Sequence, residues 1–143
     1  MTLIQHCYAH FCCFIALGSE CHTYKVLDQA DRAMSNTDRS HIKTDNTGPN
    51  ALSFGWYRTI RKSGTQIPEQ CVPTWRCSTH ALGWLSGKHP AVKQGRAVRE
   101  AFFHWEDNCC QYTVAIRVRT CDGYYVYELV KPPNSSLRYR GNK

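Results

Sequence analysis

Nine cysteines in a chain of 143 residues constrain this sequence more than any other feature. A cytosolic chain of this size rarely carries so many without a metal motif, whereas a secreted one uses them to staple a core that is otherwise too small. An odd count leaves one thiol over, and the N-terminus offers a way out. Residues 1–18 hold the apolar run Tyr8-Ala9-His10-Phe11-Cys12-Cys13-Phe14-Ile15-Ala16-Leu17, and Ala16 and Gly18 place small side chains ahead of a cut before Ser19. The basic flank of a signal peptide is missing, since only His6 precedes the run. The segment therefore reads as a signal peptide, with a buried N-terminal strand or helix as the alternative. Cleavage would remove Cys7, Cys12 and Cys13 and leave an even set for an oxidised exterior: Cys21, Cys71, Cys77, Cys109, Cys110 and Cys121.

Residues 19–143 are then one domain, long enough for a modest core. Hydrophobic residues make up 42% of the sequence, so compositional disorder is excluded. No apolar run approaches the roughly 18 residues of a transmembrane helix. Net charge is +7, which favours acidic glycans or lipid headgroups over neutral partners. No nucleic-acid-binding motif is present, so nucleic acid is not an expected partner.

The strongest local pattern lies near the C-terminus. Tyr112-Thr113-Val114-Ala115-Ile116-Arg117-Val118-Arg119-Thr120-Cys121 alternates, Asp122-Gly123 follows, and Tyr124-Tyr125-Val126-Tyr127-Glu128-Leu129-Val130 completes a hairpin. An Asp-Gly loop predicts a type I′ turn with both central residues at positive φ. Arg117 then faces Glu128, Val118 faces Tyr127 and Ile116 faces Leu129. One face collects Val114, Ile116, Val118, Tyr125, Tyr127 and Leu129. Elsewhere, residues 21–28 read as a short strand and residues 29–50 as a polar loop with one helical turn near Asp31. Residues 52–60 are β-prone, and Arg61-Lys62-Ser63-Gly64 is a turn. Residues 67–73 carry two prolines and read as an edge strand or extended loop. Residues 75–95 read as irregular. The expected fold is mainly β: a small disulfide-rich domain with antiparallel hairpins and long irregular loops.

Candidate chemistry is sparse. His80, His89 and His104 lie near Cys77, Cys109 and Cys110 in sequence, but without the tight spacing of zinc ligands. No metal and no cofactor is assigned. Cys77 with His80, or Ser78 with His104, would be the only nucleophilic pairs, and neither has a recognised surround. Glu106-Asp107 is a carboxylate pair whose members point opposite ways on an extended chain. No catalytic residue is assigned. Trp56, Trp75, Trp84 and Trp105 offer either sugar-stacking or core mass. Asn134-Ser135-Ser136 is an N-glycosylation sequon.

Taken in order, a longer set of motifs becomes specific: Gly55-Trp56-Tyr57-Arg58, Pro68-Glu69-Gln70-Cys71-Val72-Pro73, Arg76-Cys77-Ser78-Thr79-His80, Trp84-Leu85-Ser86-Gly87-Lys88-His89-Pro90, His104-Trp105 with Cys109-Cys110, and Cys121 with Gly123-Tyr124-Tyr125-Val126-Tyr127. This series resembles the extracellular cysteine-rich domain shared by uromodulin, the pancreatic zymogen-granule membrane glycoprotein and oncoprotein-induced transcript 3 protein. The resemblance runs from about Cys21 to Gly141. It implies a β-rich, non-enzymatic module, and it implies the pairings Cys21 with Cys121 and Cys71 with Cys109. Family cysteines are replaced at Thr44, Phe102, Ser135 and Arg140. Cys77 and Cys110 thus lack their implied partners, leaving either a rearranged Cys77–Cys110 bridge or two free thiols. In uromodulin and its pancreatic relative this region presents glycans to bacterial adhesins. The uromodulin sequon lies in the segment that here reads Ser86-Gly87-Lys88, without asparagine, so that role does not transfer.

The functional expectation is a secreted recognition or scaffold module for an extracellular protein, glycan or microbial surface, with Trp84, His89, Arg117 and Arg119 as binding residues. Two alternatives accompany it. One is a basic secreted protein holding acidic glycans through Arg96, Arg99, Arg117, Arg119 and Lys131; the other is a small secreted hydrolase.

Overall fold

The structure, a computed structural model, describes residues 3–8, 11–16, 18–38, 40, 42–49, 51–71 and 81–143. In the first two stretches, β1 (Leu3–Tyr8) and β2 (Phe11–Ala16), the backbone pairs as an antiparallel hairpin that forms a sheet of its own. Cys77, Ser78, His80 and Trp75 lie outside the described residues.

The body of the molecule is a seven-stranded sheet. Its strands are β3 (Lys25–Leu27), β4 (Gly55–Thr59), β5 (Ala81–Leu85), β6 (Arg96–Trp105), β7 (Asn108–Thr120), β8 (Tyr125–Leu129) and β9 (Leu137–Arg138). They lie in the order β3-β4-β8-β7-β6-β5-β9. The inner pairings are antiparallel, and the short edge strands β3 and β9 add in parallel. Among the described residues no helix is long and apolar enough to cross a membrane.

The β7–β8 hairpin has the expected register, with Arg117 opposite Glu128 and Val118 opposite Tyr127. Its apolar face enters the main core, where Ile116, Val118, Tyr127 and Leu129 are at most 3% exposed. Burial of each such side chain contributes about 1.5–3 kcal/mol. A slip of one residue would turn the whole set to solvent. The turn itself differs from the expected type I′. Gly123 has φ +82°, but Asp122 is not at positive φ. Positive φ at the second central residue alone is a type II pattern, which glycine accommodates.

One strand, β5, departs from the expectation of irregular chain, and another, β6, lies where no element was expected. Ala81-Leu82-Gly83-Trp84-Leu85 shows no alternation because most of it is covered: Ala81, Leu82 and Leu85 are fully buried. A continuous apolar run is the pattern of a strand shielded on both faces. Gly83 belongs there because a Cβ would sit 2.9 Å from the Phe103 ring. β6 was hidden by its outer face, where Val98 stands 63% exposed. Its pairing with β7 is nonetheless the longest ladder among the described residues, from Arg96 opposite Arg119 to Phe103 opposite Tyr112.

The polar segment between β3 and β4 is held by charge. Asp45 is fully buried and accepts two hydrogen bonds from Arg32, at 2.7 and 3.0 Å, and one from the Tyr139 N–H at 2.7 Å. Arg138 is buried beside it and pairs with Asp31 at 3.0 Å. A buried carboxylate needs such partners to remain charged.

Candidate functional site

The disulfides define the site's limits. Cys109 is the second residue of β7, and Cys121 follows its last. Cys71 joins Cys109 and Cys21 joins Cys121, with Cα separations of 5.7 and 5.8 Å. Both inherited pairings are therefore present. The Cys21–Cys121 bridge packs with Val126, against Trp56 and Tyr124. Alternation along β7 turns both cystines away from the main core, so the two staples hold chain over the outer face at opposite ends of one strand.

Between the staples the outer face is open. Trp56 on β4 stands opposite Glu128 on β8, Glu128 opposite Arg117 on β7, and Arg117 opposite Val98 on β6. Arg117 forms a forked pair with Glu128 at 2.7 and 2.6 Å. Arg96 forms another with Glu20 at 2.8 and 2.9 Å, and Arg119 adds a bond to Glu20 at 3.0 Å. The Arg96 and Arg117 guanidiniums lie 5.5 and 5.9 Å from the Trp56 ring centre, within cation–π range. Both arginine side chains are 43% exposed. The hydrogen bonds from Arg96 hold Glu20 down to a pKa of about 2. Glu128 likewise raises Arg117 above the usual arginine value. Three guanidiniums thus meet two carboxylates, and Glu100, a third carboxylate on the same face, accepts from the Thr113 hydroxyl at 2.7 Å. The local charge is balanced, which removes the bulk positive field expected from Arg96, Arg117 and Arg119.

The four expected binding residues do not form one cluster. Arg117 and Arg119 lie on this face as described. Trp84 lies further along the same face on β5, stacked on Phe102 at 5.2 Å, and donates its indole N–H to the Cys109 carbonyl at 2.8 Å. His89 is internal, with its side chain 3% exposed. Its Nδ1 is 2.5 Å from Glu69 Oε1, its Nε2 is 2.7 Å from the Tyr127 hydroxyl, and its ring lies 4.0 Å from that of Tyr125. Sequence reasoning missed Glu20 and Val98, and it left Trp56 between sugar stacking and core. Only the alternation Arg96, Val98, Glu100 hinted at an outward row.

Other chemistry is consumed by structure. Cys71, His104 and Cys109 bring potential ligand atoms within 4.8 Å of one another, but the two sulfurs are spent on their bridge, and a disulfide offers no thiolate. Glu106 and Asp107 form the exposed β6–β7 turn, with Glu106 at φ +52°. Cys110 is an exposed free thiol, which accords with the second of the two alternatives left open for it, and Cys77 lies outside the described residues. Asn134 makes an Asx turn, accepting the Ser136 N–H at 3.0 Å, and donates to the Tyr112 hydroxyl at 3.3 Å. The positions where the family carries cysteine hold other contacts: Arg140 is buried against the Met34 sulfur at 3.0 Å, and Phe102 serves the Trp84 stack.

Fold and staples together define a cystine-bonded, all-β module. Residues 57–141 match the model of the uromodulin-like domain family, and the chain belongs to that family. Among its relatives, the dog pancreatic secretory granule membrane major glycoprotein GP2 is 38% identical over 120 residues, which cover 83% of this chain and 22% of that protein. Rat uromodulin is 44% identical over 86 residues, 59% of this chain and 13% of that protein. Human GP2 is 37% identical over 120 residues, 83% of this chain and 21% of that protein. The chain thus spans about a fifth or less of the relatives it matches.

Proposed function

We propose that this domain is a secreted, non-enzymatic recognition module that binds an extracellular protein, glycan or microbial surface across the outer face between its two disulfides. The observation that carries this reading is the outer-face row of half-buried Trp56, half-exposed Arg117 and exposed Val98, flanked by Arg96. Tryptophan and arginine in fixed poses are the residues that dominate binding surfaces, and the paired carboxylates hold both guanidiniums in place before any ligand arrives. Two disulfides suit an oxidising compartment. Residues 1–18 act as the leader that delivers the chain there, and Asn134 carries a glycan at a distance from this face.

The test is expression of the full chain in mammalian cells. The medium should yield a protein beginning at Ser19, whose mobility changes with glycosidase and with Asn134→Gln. Labelled product is then screened against extracellular proteins, glycans and bacterial cells, alongside Trp56→Ala and Val98→Asp. Each variant should lose at least about tenfold in affinity for the ligand found. Binding that survives both changes would remove the outer face as the site.

A further inference from the structure

The ladder between β4 and β8 ends at Tyr57 and Tyr127. β4 continues through Arg58 and Thr59, and β8 starts earlier, at Tyr125. The two strand ends stand on either side of a cleft of about 450 Å³, lined by Arg58, Thr59, Arg61, Gln66, Gly123 and Tyr124 among others. Small-molecule sites occupy roughly 300–1,000 Å³.

Three observations make this more than a gap. Thr59 is 2% exposed, and its hydroxyl has no hydrogen-bond partner among the described residues. Buried polar groups are nearly always satisfied, so an orphan lining a cleft marks a place for a ligand or water. Arg61 sits at φ +56°, a conformation that favours glycine. The turn is locked by the Ser63 hydroxyl, which donates to the Leu27 carbonyl at 2.6 Å. The turn thereby fixes where the Arg61 side chain leaves the backbone. That side chain is 74% exposed, and its contact with Asp28 is a loose 3.4 Å. The third observation is Arg58, whose guanidinium rests 3.8 Å from the Tyr124 ring centre and donates to the Tyr24 hydroxyl at 3.0 Å. It is a cation held in one pose.

We infer that this cleft binds an anionic sugar, a pyranose bearing a carboxylate or a sulfate. Arg61 and Arg58 take the anion, and Thr59 Oγ1 and the Gln66 carboxamide take ring hydroxyls. A sugar brings hydroxyls for Thr59 and Gln66 on the same ring as the anion that the arginines take. The inference rests on the recognition reading and adds a second contact to it, away from the balanced charges of the outer face.

The experiment is an amide-NMR titration of the full chain with 3′-sialyllactose (carboxylate), 3′-sulfolactose (sulfate only), and lactose as the neutral control. Saturable shifts at residues 58–66 and 123–125 are expected with at least one anionic probe and not with lactose; which probe binds tells carboxylate from sulfate. Thr59→Val should weaken binding about fivefold or more without lowering the melting temperature, because it deletes a hydroxyl that has no partner in the free protein. Arg61→Gln should weaken it about tenfold and flatten its salt dependence. No shift with either probe, equal binding of lactose, or wild-type affinity in Thr59→Val overturns the inference. Trp56→Ala is the discriminating control. If it alone abolishes sugar binding, the sugar sits on the outer face, and the cleft assignment falls while the recognition reading stands.

Discussion

His89 Nε2 lies 2.7 Å from the Tyr127 hydroxyl, and that hydroxyl also accepts the Ile67 N–H at 2.9 Å. With that N–H accepted, the tyrosine proton is placed to bond Nε2, and the imidazole then keeps its own proton on Nδ1 for Glu69. His89 is neutral in this arrangement, and its burial lowers its pKa below the usual imidazole value. A histidine expected among the binding residues is a pin between the Pro68–Glu69 segment and the core of the hairpin.

Tyr127→Phe leaves the Ile67 N–H and His89 Nε2 unpaired and should cost about 1–3 kcal/mol. The pH dependence follows from the lowered pKa. The unfolded chain protonates His89 first, so this stability is complete above 6.5 and is lost as pH falls from there toward the depressed folded value. Guanidinium unfolding at about pH 7.5 and about pH 5.5 should show a loss that His89→Gln reduces. A gain in stability on acidification would contradict the neutral-histidine assignment.

Glu20 extends the acid sensitivity downward. Its carboxylate, bonded to Arg96 and Arg119, is held at about 2 instead of 4.5. Its contribution is present above 4.5 and is lost as pH falls through that window. Glu20→Gln should cost about 2 kcal/mol at neutral pH and flatten the acid limb of a stability curve. An unchanged limb would mean that the pair carries no net stability.

Asp45 is the costliest single charge to remove. With Asp45→Ala, Arg32 and the Tyr139 N–H lose their common acceptor inside the protein, for about 3–5 kcal/mol. Replacing Arg32 and Asp45 together with apolar residues should recover much of that loss, as urea denaturation of the single and double variants would show.

Cys110 should react with iodoacetamide in the native protein without shifting the melting temperature. A non-reduced peptide map should contain Cys21–Cys121 and Cys71–Cys109. Removing the first, which spans 100 residues, should cost about 4–5 kcal/mol, and the second, spanning 38, about 4 kcal/mol. A Cys77–Cys110 peptide in the map would reverse the assignment of Cys110.

The β7–β8 hairpin was legible because alternation and a two-residue turn are local signals that agreed on one register. Asp122 shows the limit of that logic: the Asp-Gly pair names the turn's position, yet the backbone places only Gly123 at positive φ. β5 was not legible, because a strand covered on both faces loses its alternation, and β6 was not, because its row of Arg96, Val98 and Glu100 faces solvent. Of the expected binding residues, Arg117 and Arg119 share a face and His89 is buried. Nothing local distinguishes an arginine that meets solvent from one that meets Glu20, which lies 76 residues before Arg96.

Sequence alone thus determined the β class, the hairpin register and, through the order of its motifs, the family with its two cystine pairs. Each depends on periodicity or on residues met in a fixed order along the chain. Tertiary structure decided what the charges do. Arg96 and Arg119 on the outer face are neutralised by Glu20, far off in sequence, whereas Arg58, Arg61 and the orphan Thr59 hydroxyl meet at a cleft that exists only because two strands part. Charge pairing and burial are contacts in space, and one-dimensional spacing carries neither.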